Sequence, residues 1–475
     1  MISLLKQMSI RHFLKFKLMK AYFKRSGKEN VLSIVVAAMV MLSIGAKAQN
    51  TITLSQAINK GLESKKDILA GNLDVSISIL QTQNLYHKYW PQASVDYNYY
   101  YNPILQTSIL PIGLFNPAYP EDALINLQFG TNWTQTAGLN LSQPLLDLSI
   151  NRNISEAKLQ ERIAAFSQEK SANELAYTIA QTYIDIYLEE AKIKSLIADT
   201  NRTYISYSLL KDKFDEQSLL KSDLNKSKVN HNNTVQLLYD GISQLIEDKV
   251  YLLYLMGENE VDKWDFEVEN AFFTENTIEK TLLTTNLDQL PELQELTLQS
   301  QLAALKSKSE NAKHIPTISF QGYLGANQFT NSFNPIEANT WYGLSYLGLD
   351  IKIPILFGES TSNKIEQLKI QSEQYSLQKE DKTLQYTKDV YTAKRRMENI
   401  QMQLKTQEEN ISLSAESINI IQDRVLEGQE AALNLNLEEA SLQALEANYE
   451  SNKKQLWLYW LDYLKATGQL SILWE

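Results

Sequence analysis

The sequence predicts a mainly α-helical protein with a transmembrane β part. Its long helices form a coiled-coil helical barrel, and its four strands per chain join a β-barrel that only several copies together can close. Three observations carry this. Apolar and small residues recur at heptad steps over segments far longer than a compact domain needs. Four stretches of about 10 residues alternate with period two and have the length of a tilted membrane strand. The order helix, strand, strand, long helix, return helix occurs twice.

The first 48 residues stand apart. Lys15, Lys17, Lys20, Lys24, Arg25 and Lys28 precede the apolar run Val31 to Gly45, which ends in Ala46-Lys47-Ala48. This reads as a secretory signal peptide (1–48) cleaved before Gln49. A membrane anchor is the competing reading, but the run falls short of the roughly 20 residues a spanning helix needs. Nine of the 45 Lys and Arg and one of the 56 Asp and Glu lie there, so the remainder carries 36 basic and 55 acidic residues, a net charge of −19. So acidic a body argues against nucleic acid as a partner. It suits either solvated helix faces or an acidic lumen that favours cations. The absence of cysteine excludes disulfides, thiolate metal sites and a lipidated N-terminal cysteine.

Taken in order, Ser55 caps a helix predicted to run unbroken to about Lys88, with Ala57, Ile58, Leu62, Ile68, Leu69, Leu73, Ile77 and Leu80 as its apolar face. Trp90-Pro91 ends it, because proline drives the preceding residue out of the helical region. Val95, Tyr97, Tyr99 and Tyr101 then alternate with Ser94, Asp96, Asn98 and Tyr100. Trp133, Ala137, Leu139 and Leu141 alternate with Thr134, Thr136, Gly138, Asn140 and Ser142 in the partner strand. A soluble half-buried hairpin gives the same alternation, so these strands alone leave both readings open. Gln106 to Asn132, with four prolines in or near it, reads as a loop, and Pro144 closes the second strand.

The first long helix spans about Ser149 to Phe214, with a seam through Ala172, Ala176, Ile179, Tyr183, Ile186, Glu190, Ile193, Ile197, Thr200, Tyr204, Tyr207, Lys211 and Phe214. At ~1.5 Å per residue it is about 100 Å long. Its return, Leu224 to Met256, stops at Gly257, which suits the left-handed position after a helix. Residues 258 to 285 show no clear period.

The second copy follows by subtraction. Asp67 and Glu292, and Pro91 and Pro316, differ by 225; Pro144 and Pro354 differ by 210; Phe214 and Val425, and Gly257 and Gly468, differ by 211. The shortfall lies in the loop between strands, where a structural repeat tolerates it. The repeats are therefore set at 49–275 and 276–475. In the second, Ile318, Phe320, Gly322 and Leu324 share a face, as do Trp341, Gly343, Ser345, Leu347, Leu349, Ile351 and Ile353. Helices Ser362 to Arg424 and Leu433 to Thr467 follow. The last has two seams, one through Leu433, Leu437, Ala440, Ala444, Ala447, Leu458 and Leu461, the other through Leu442, Leu445, Tyr449, Leu456, Tyr459 and Tyr463. Two seams predict neighbours on both sides. Four strands cannot close a barrel and lipid does not tolerate open edges, so copies must pool their strands.

The duplicated order, with Trp90-Pro91 and Ile315-Pro316 at strand entries, Gln143-Pro144 and Ile353-Pro354 at strand exits, and Leu255-Met256-Gly257 at a helix end, resembles the TolC family of outer-membrane efflux proteins over essentially the whole mature chain. The resemblance implies a homotrimer. Its outer-membrane β-barrel, four strands from each copy, sits in outer-membrane lipid on a periplasmic helical barrel. It further implies a passive exit duct of a tripartite efflux or type I secretion system, served by a periplasmic adaptor (membrane fusion) protein and an inner-membrane pump.

The family's helical turns carry a basic residue and an aromatic or aliphatic one, then glycine, then Asp-aliphatic. Here Arg424-Val425 and Gly428 match, with Asn434-Leu435 in place of Asp. Lys213-Phe214 and Asp223-Leu224 match, with Gln217 in place of glycine. By resemblance, Asp212, Lys213, Asp215, Glu216, Asp223, Asp423, Arg424, Glu427, Gly428 and Glu430 are candidates for the periplasmic tip, its gate and the adaptor contact. The plainer reading is that exposed turn charges solvate the tip. Tyr97, Tyr99, Tyr101, Trp133, Phe320 and Trp341 are the expected membrane-strand aromatics.

No catalytic constellation is found. His87, His231 and His314 are isolated, none in a metal-spaced motif, and there is no phosphate loop or nucleophile elbow. Neither an enzyme nor a cofactor nor a metal site is expected. The alternative from another class is a secreted periplasmic coiled-coil interaction or adaptor protein without a pore, against which the duplicated hairpin and two strand pairs speak.

Overall fold

The computed structural model describes residues 51–112, 118, 120, 122–260, 265–269, 278, 287–334, 341–355 and 359–474. The expected signal peptide, the tip of the first strand loop and most of 258–285 lie outside them. In chain order come β1 (Thr51–Ile52), α1 (Leu54–Ser64), α2 (Lys66–His87), β2 (Gln92–Tyr101), β3 (Gln106–Pro111), β4 (Leu124–Phe129), β5 (Trp133–Leu146), α3 (Leu148–Asp215) and α4 (Lys221–Leu255). These are followed by β6 (Glu267–Val268), α5 (Pro291–Asn311), β7 (Thr317–Thr330), β8 (Trp341–Lys352), α6 (Glu359–Leu426) and α7 (Ala432–Thr467). A small separate unit holds 51–52 and 265–267; all that follows concerns the other unit, 53–264 and 268–475.

The two long helices have 68 residues each and their returns 35 and 36. They pair as α3 with α4 and α6 with α7, while α2 and α5 lie along the strand-proximal parts of α3 and α6. No helix among the described residues is long and apolar enough to cross a membrane.

The α3 seam is as expected through Ala176, Ile179, Tyr183 and Ile186, all fully buried. Beyond that the expectation fails: Ile197 and Tyr204 are 47% and 56% exposed, and the buried set becomes Leu196, Asp199, Thr203, Ser206 and Leu210. The helix turns a polar stripe inward there, because α4 and α7 offer Thr234 to Thr203 and Glu439 to Ser206 as hydrogen-bond partners.

The predicted first helix is two. Thr53, not Ser55, is its cap, bonded reciprocally with Gln56. Lys65 then leaves the helical region (ψ 124°). Its ammonium sits 3.3 Å from the centre of the Tyr254 ring and donates to the Tyr254 carbonyl at the end of α4. Gly257, at φ +74°, lies beneath the break; a Cβ there would fall 2.7 Å from the Ser64 carbonyl oxygen.

Strands β2-β5-β7-β8 form one antiparallel sheet in that order, with β2 and β8 at the open edges. The helices join it at the Gln92, Leu146, Thr317 and Lys352 ends, so the hairpin loops share the other end. Gln106 to Asn132 is not simply a loop: β3 and β4 pair from Gln106↔Phe129 to Pro111↔Leu124, prolonging the β2–β5 ribbon. Pro103 precedes that hairpin and Pro111 is the last paired residue of its first strand, so these prolines do not exclude it. Pro144 does not close β5, which pairs with β7 to Leu146 across an irregularity. Proline is tolerated there because β2 ends opposite Ser142, leaving no strand on that side to receive an N–H.

Candidate functional site

The helical turns at the far end of the long helices repeat one geometry. In the first, Glu216 N–H donates to Asp212 O, Gln217 to Phe214 O and Ser218 to Lys213 O. In the second, Glu427 donates to Asp423 O, Gly428 to Val425 O and Gln429 to Arg424 O. Each bond recurs 211 residues on (423 − 212). The left-handed position is Gly428 (φ +74°) in one turn and Gln217 (φ +62°) in the other, so Gln217 takes the backbone conformation of the glycine it replaces.

Among the tip candidates, Lys213 is the one that joins the two turns. It donates to the Val425 and Leu426 carbonyls at 2.8 and 3.0 Å, the open end of α6. Arg424 pairs with Glu430 at 3.4 Å, and Asp223 with Lys226 at 3.5 Å. Glu427 accepts from the Gln429 amide, and Glu430 also from Asn434. Asp212, Asp215, Glu216 and Asp423 are exposed. Behind these charges, Leu210, Ile418, Val425, Ala432, Leu435 and Leu442 form a buried cluster, so the tip is pinned by its own core as well as its polar rim.

Above that cluster lies a polar layer that the seam pattern conceals. Glu439, 2% exposed, accepts from Ser206 (2.5 Å) and Asn230 (3.0 Å). Arg202 pairs with Asp199 at 2.8 Å. An open cavity of about 270 Å³ runs alongside, lined by Asp199, Glu189, Asp240, Gln443, Glu446 and Glu450 among others. Burial, then the neighbouring Asp199, pushes the Glu446 carboxyl up to about 7. Burial likewise raises Glu439 and Glu450. The signal for Glu439 was available: it falls four after Leu435 and three before Leu442, the place of an apolar seam residue.

Nearer the sheet, Glu292 at the start of α5 gathers Lys170 (3.5 Å), Lys382 (3.3 Å) and the Tyr386 hydroxyl (2.6 Å) from α3 and α6. Burial opposes its charge, but Tyr386 and the two lysines hold it below the usual carboxylate range. This cluster lines an open cavity of about 620 Å³ with Tyr177, whose hydroxyl donates to Asp462 at 2.6 Å.

The sheet segregates its faces. The register places Tyr97, Tyr99, Tyr101, Trp133, Phe320 and Trp341 on one side, with Val95, Leu139, Leu141, Leu324, Leu347, Leu349 and Ile351. Tyr99 stacks on Trp133 (centroids 5.1 Å, 15°), and Tyr101 and Phe333 contact the same indole. These and Trp341 gather at the loop end, Tyr97 bonds Gln135 one pair further in, and Phe320 lies apart near the helix end. The opposite side carries Gln92, Ser94, Asp96, Asn98, Thr136, Asn140, Ser142, Ser319 and Gln321. Val95 and Leu347 are 77% and 78% exposed, an apolar face that nothing in the single chain covers.

An aliphatic sheet face with an aromatic rim, continuous with rods of about 100 Å, is the architecture of an outer-membrane channel with a helical extension. Residues 282–468 match the family of outer membrane efflux proteins. That match takes in α5, β7, β8, α6 and α7. No curated protein matches the sequence significantly. Among solved structures, CusC has a TM-score of 0.72 at 15% identity, covering 88% of this chain and 92% of its own. VceC of Vibrio cholerae gives 0.69 at 13%, covering 87% and 96%. CmeC, an outer membrane channel of Campylobacter jejuni, gives 0.69 at 12%, covering 88% and 85%.

Proposed function

We propose that this protein works as a homotrimeric, passive exit duct of a tripartite efflux or type I secretion system. Small molecules or ions pass from the periplasm to the outside, a periplasmic adaptor docks on the helical tip, and an inner-membrane pump supplies the work. The carrying observation is the four-stranded sheet with β2 and β8 unpaired at its edges and one aliphatic face exposed. In lipid each edge needs a partner, and pairing β8 of one copy with β2 of the next supplies both.

The helices support the same reading. Ile370, Leu377, Leu384 and Tyr391 repeat every seven residues along α6 and are 58–70% exposed. Leu69, Leu73, Ile77 and Leu80 make a second exposed stripe on α2. Two bare apolar stripes on one rod bundle suit packing between copies. Residues 49–275 and 276–475 are read as two copies of one unit, and 1–48 as a signal peptide removed on export. At the tip, Lys213 and the Arg424–Glu430 pair are the closing contacts, and the exposed carboxylates Asp212, Asp215, Glu216 and Asp423 face the adaptor or the aperture. Asp223, Glu427 and Gly428 shape the turns that present them.

The test is the native mass of protein extracted by detergent from separated outer membranes. A trimer confined to that fraction is expected. A water-soluble monomer or dimer in the periplasm would replace the duct with the coiled-coil interaction protein.

A further inference from the structure

The polar face of the sheet is not uniformly polar. Its β7–β8 half carries Tyr323, Phe329, Tyr342 and Tyr346, although the alternation that puts aliphatics on the other face would place small or polar residues here. Tyr323 and Tyr346 stand opposite each other with rings stacked at 5.5 Å and 18°. Phe329 and Tyr342 make a second pair at 6.3 Å and 38°.

Two glycines set the first pair. Gly138 and Gly325 are register partners, and a Cβ on Gly325 would lie 2.5 Å from the Tyr323 hydroxyl oxygen, with one on Gly138 equally close to the same ring. The phenol therefore lies across both glycines. Covering glycines is a known structural use of an aromatic in a sheet. It does not account for Tyr346 and Tyr342, which reach outward 55% and 62% exposed. Directly across Gly138 is Asp96, an exposed carboxylate that accepts from the Asn140 side-chain amide. Asn140 is itself the register partner of Tyr323. Tyr323 thus lies between Tyr346, its stacking partner on β8, and Asp96, which faces it across Gly138 from β2.

Ring faces are electron-rich and attract cations, flat rings stack on them, and a carboxylate adds charge complementarity. We propose that Tyr323, Tyr346 and Asp96, with Tyr342 alongside, form a binding site for planar aromatic cations on this face of the sheet, one in each copy. The inference rests on the duct reading, in which this face lines the channel. It assigns the strands a part in selecting cargo.

The probe is ethidium, with tetraethylammonium as a cation of equal charge and no ring. In planar bilayers holding the full-length trimer, ethidium blocks the current and tetraethylammonium blocks it far more weakly. Tyr346→Leu and Asp96→Asn each weaken ethidium block by roughly three- to tenfold, the range expected of a cation–π contact partly shielded from water. Ethidium block equal to that of tetraethylammonium, or unchanged in both variants, overturns the site. If the protein conducts no current, the duct reading fails separately. Ethidium fluorescence titrated on the detergent-solubilised protein then decides the site: loss of binding in Tyr346→Leu and Tyr342→Leu supports it, and equal binding refutes it.

Discussion

Lys213 reaches from the end of the first long helix to the Val425 carbonyl at the end of the second, 2.8 Å away, and so caps a helix 212 residues further along the chain. A charged donor at an open helix C-terminus contributes about 1 kcal/mol. Lys213→Met is expected to leave the protein folded and to loosen the second turn. Hydrogen exchange at Glu427 to Gln429 should speed up by roughly fivefold, the equivalent of that energy. No change would make Lys213 a solvated charge and nothing more.

Gln217 holds a backbone conformation that glycine adopts at less cost. Gln217→Gly should stabilise the first turn by roughly 0.5–1 kcal/mol, and Gly428→Gln should destabilise the second by about as much. Exchange rates at the two turns report both changes, and they should move in opposite directions.

Much of this architecture is legible from period alone. The long helices end within three residues of their expected bounds, and the expected strand faces coincide with the paired register across all four strands. What escapes the sequence is what depends on a partner. Lys65 breaks a helix because the end of α4 is there to be capped. Thr203 and Ser206 turn inward, and Ile197 and Tyr204 outward, because α4 and α7 bring Thr234 and Glu439 as polar partners. Prolines in and near Gln106 to Asn132 read as a loop, yet six residues pair there, Pro111 among them, as the last of its strand. At the tip, the half-matched turn motif located both turns, but the bond from Lys213 to the opposite helix follows only from their juxtaposition.

The polar layer predicts a pH dependence. Glu446 is pushed from 4.5 up to about 7 by burial, then by Asp199, with Glu450 adding repulsion and Arg202 opposing. A carboxyl that holds its proton more tightly in the folded protein than in the unfolded one makes its contribution in full below about 4.5 and loses it as pH rises through about 7. The raised carboxyls Glu439 and Glu450 act in the same direction. Thermal stability of the protein should therefore fall between pH 5 and pH 7.5, and Glu446→Gln should flatten that slope. Glu292, held low, acts oppositely and only at more acid pH, where protonation removes its bonds to Lys170, Lys382 and Tyr386. A slope identical in Glu446→Gln would remove Glu446 from the account.

The final prediction separates lipid from water at the sheet. Leu347 sits mid-strand on the aliphatic face and is 78% exposed in the single chain. Were that face in water, Leu347→Arg would be close to neutral, since an exposed charge replaces an exposed leucine. In lipid, an arginine near the midplane costs about 2–4 kcal/mol in every copy. Leu344 lies between Tyr342 and Tyr346 on the opposite face, which faces water in the duct, so Leu344→Ser brings no charge into lipid. Leu347→Arg should thus deplete folded trimer from outer membranes while Leu344→Ser does not. The contrast within one strand guards against a general folding defect. Equal yields of the two variants would mean that the aliphatic face is covered by something other than lipid, and β2 and β8 would need a different partner from the neighbouring copy's strands.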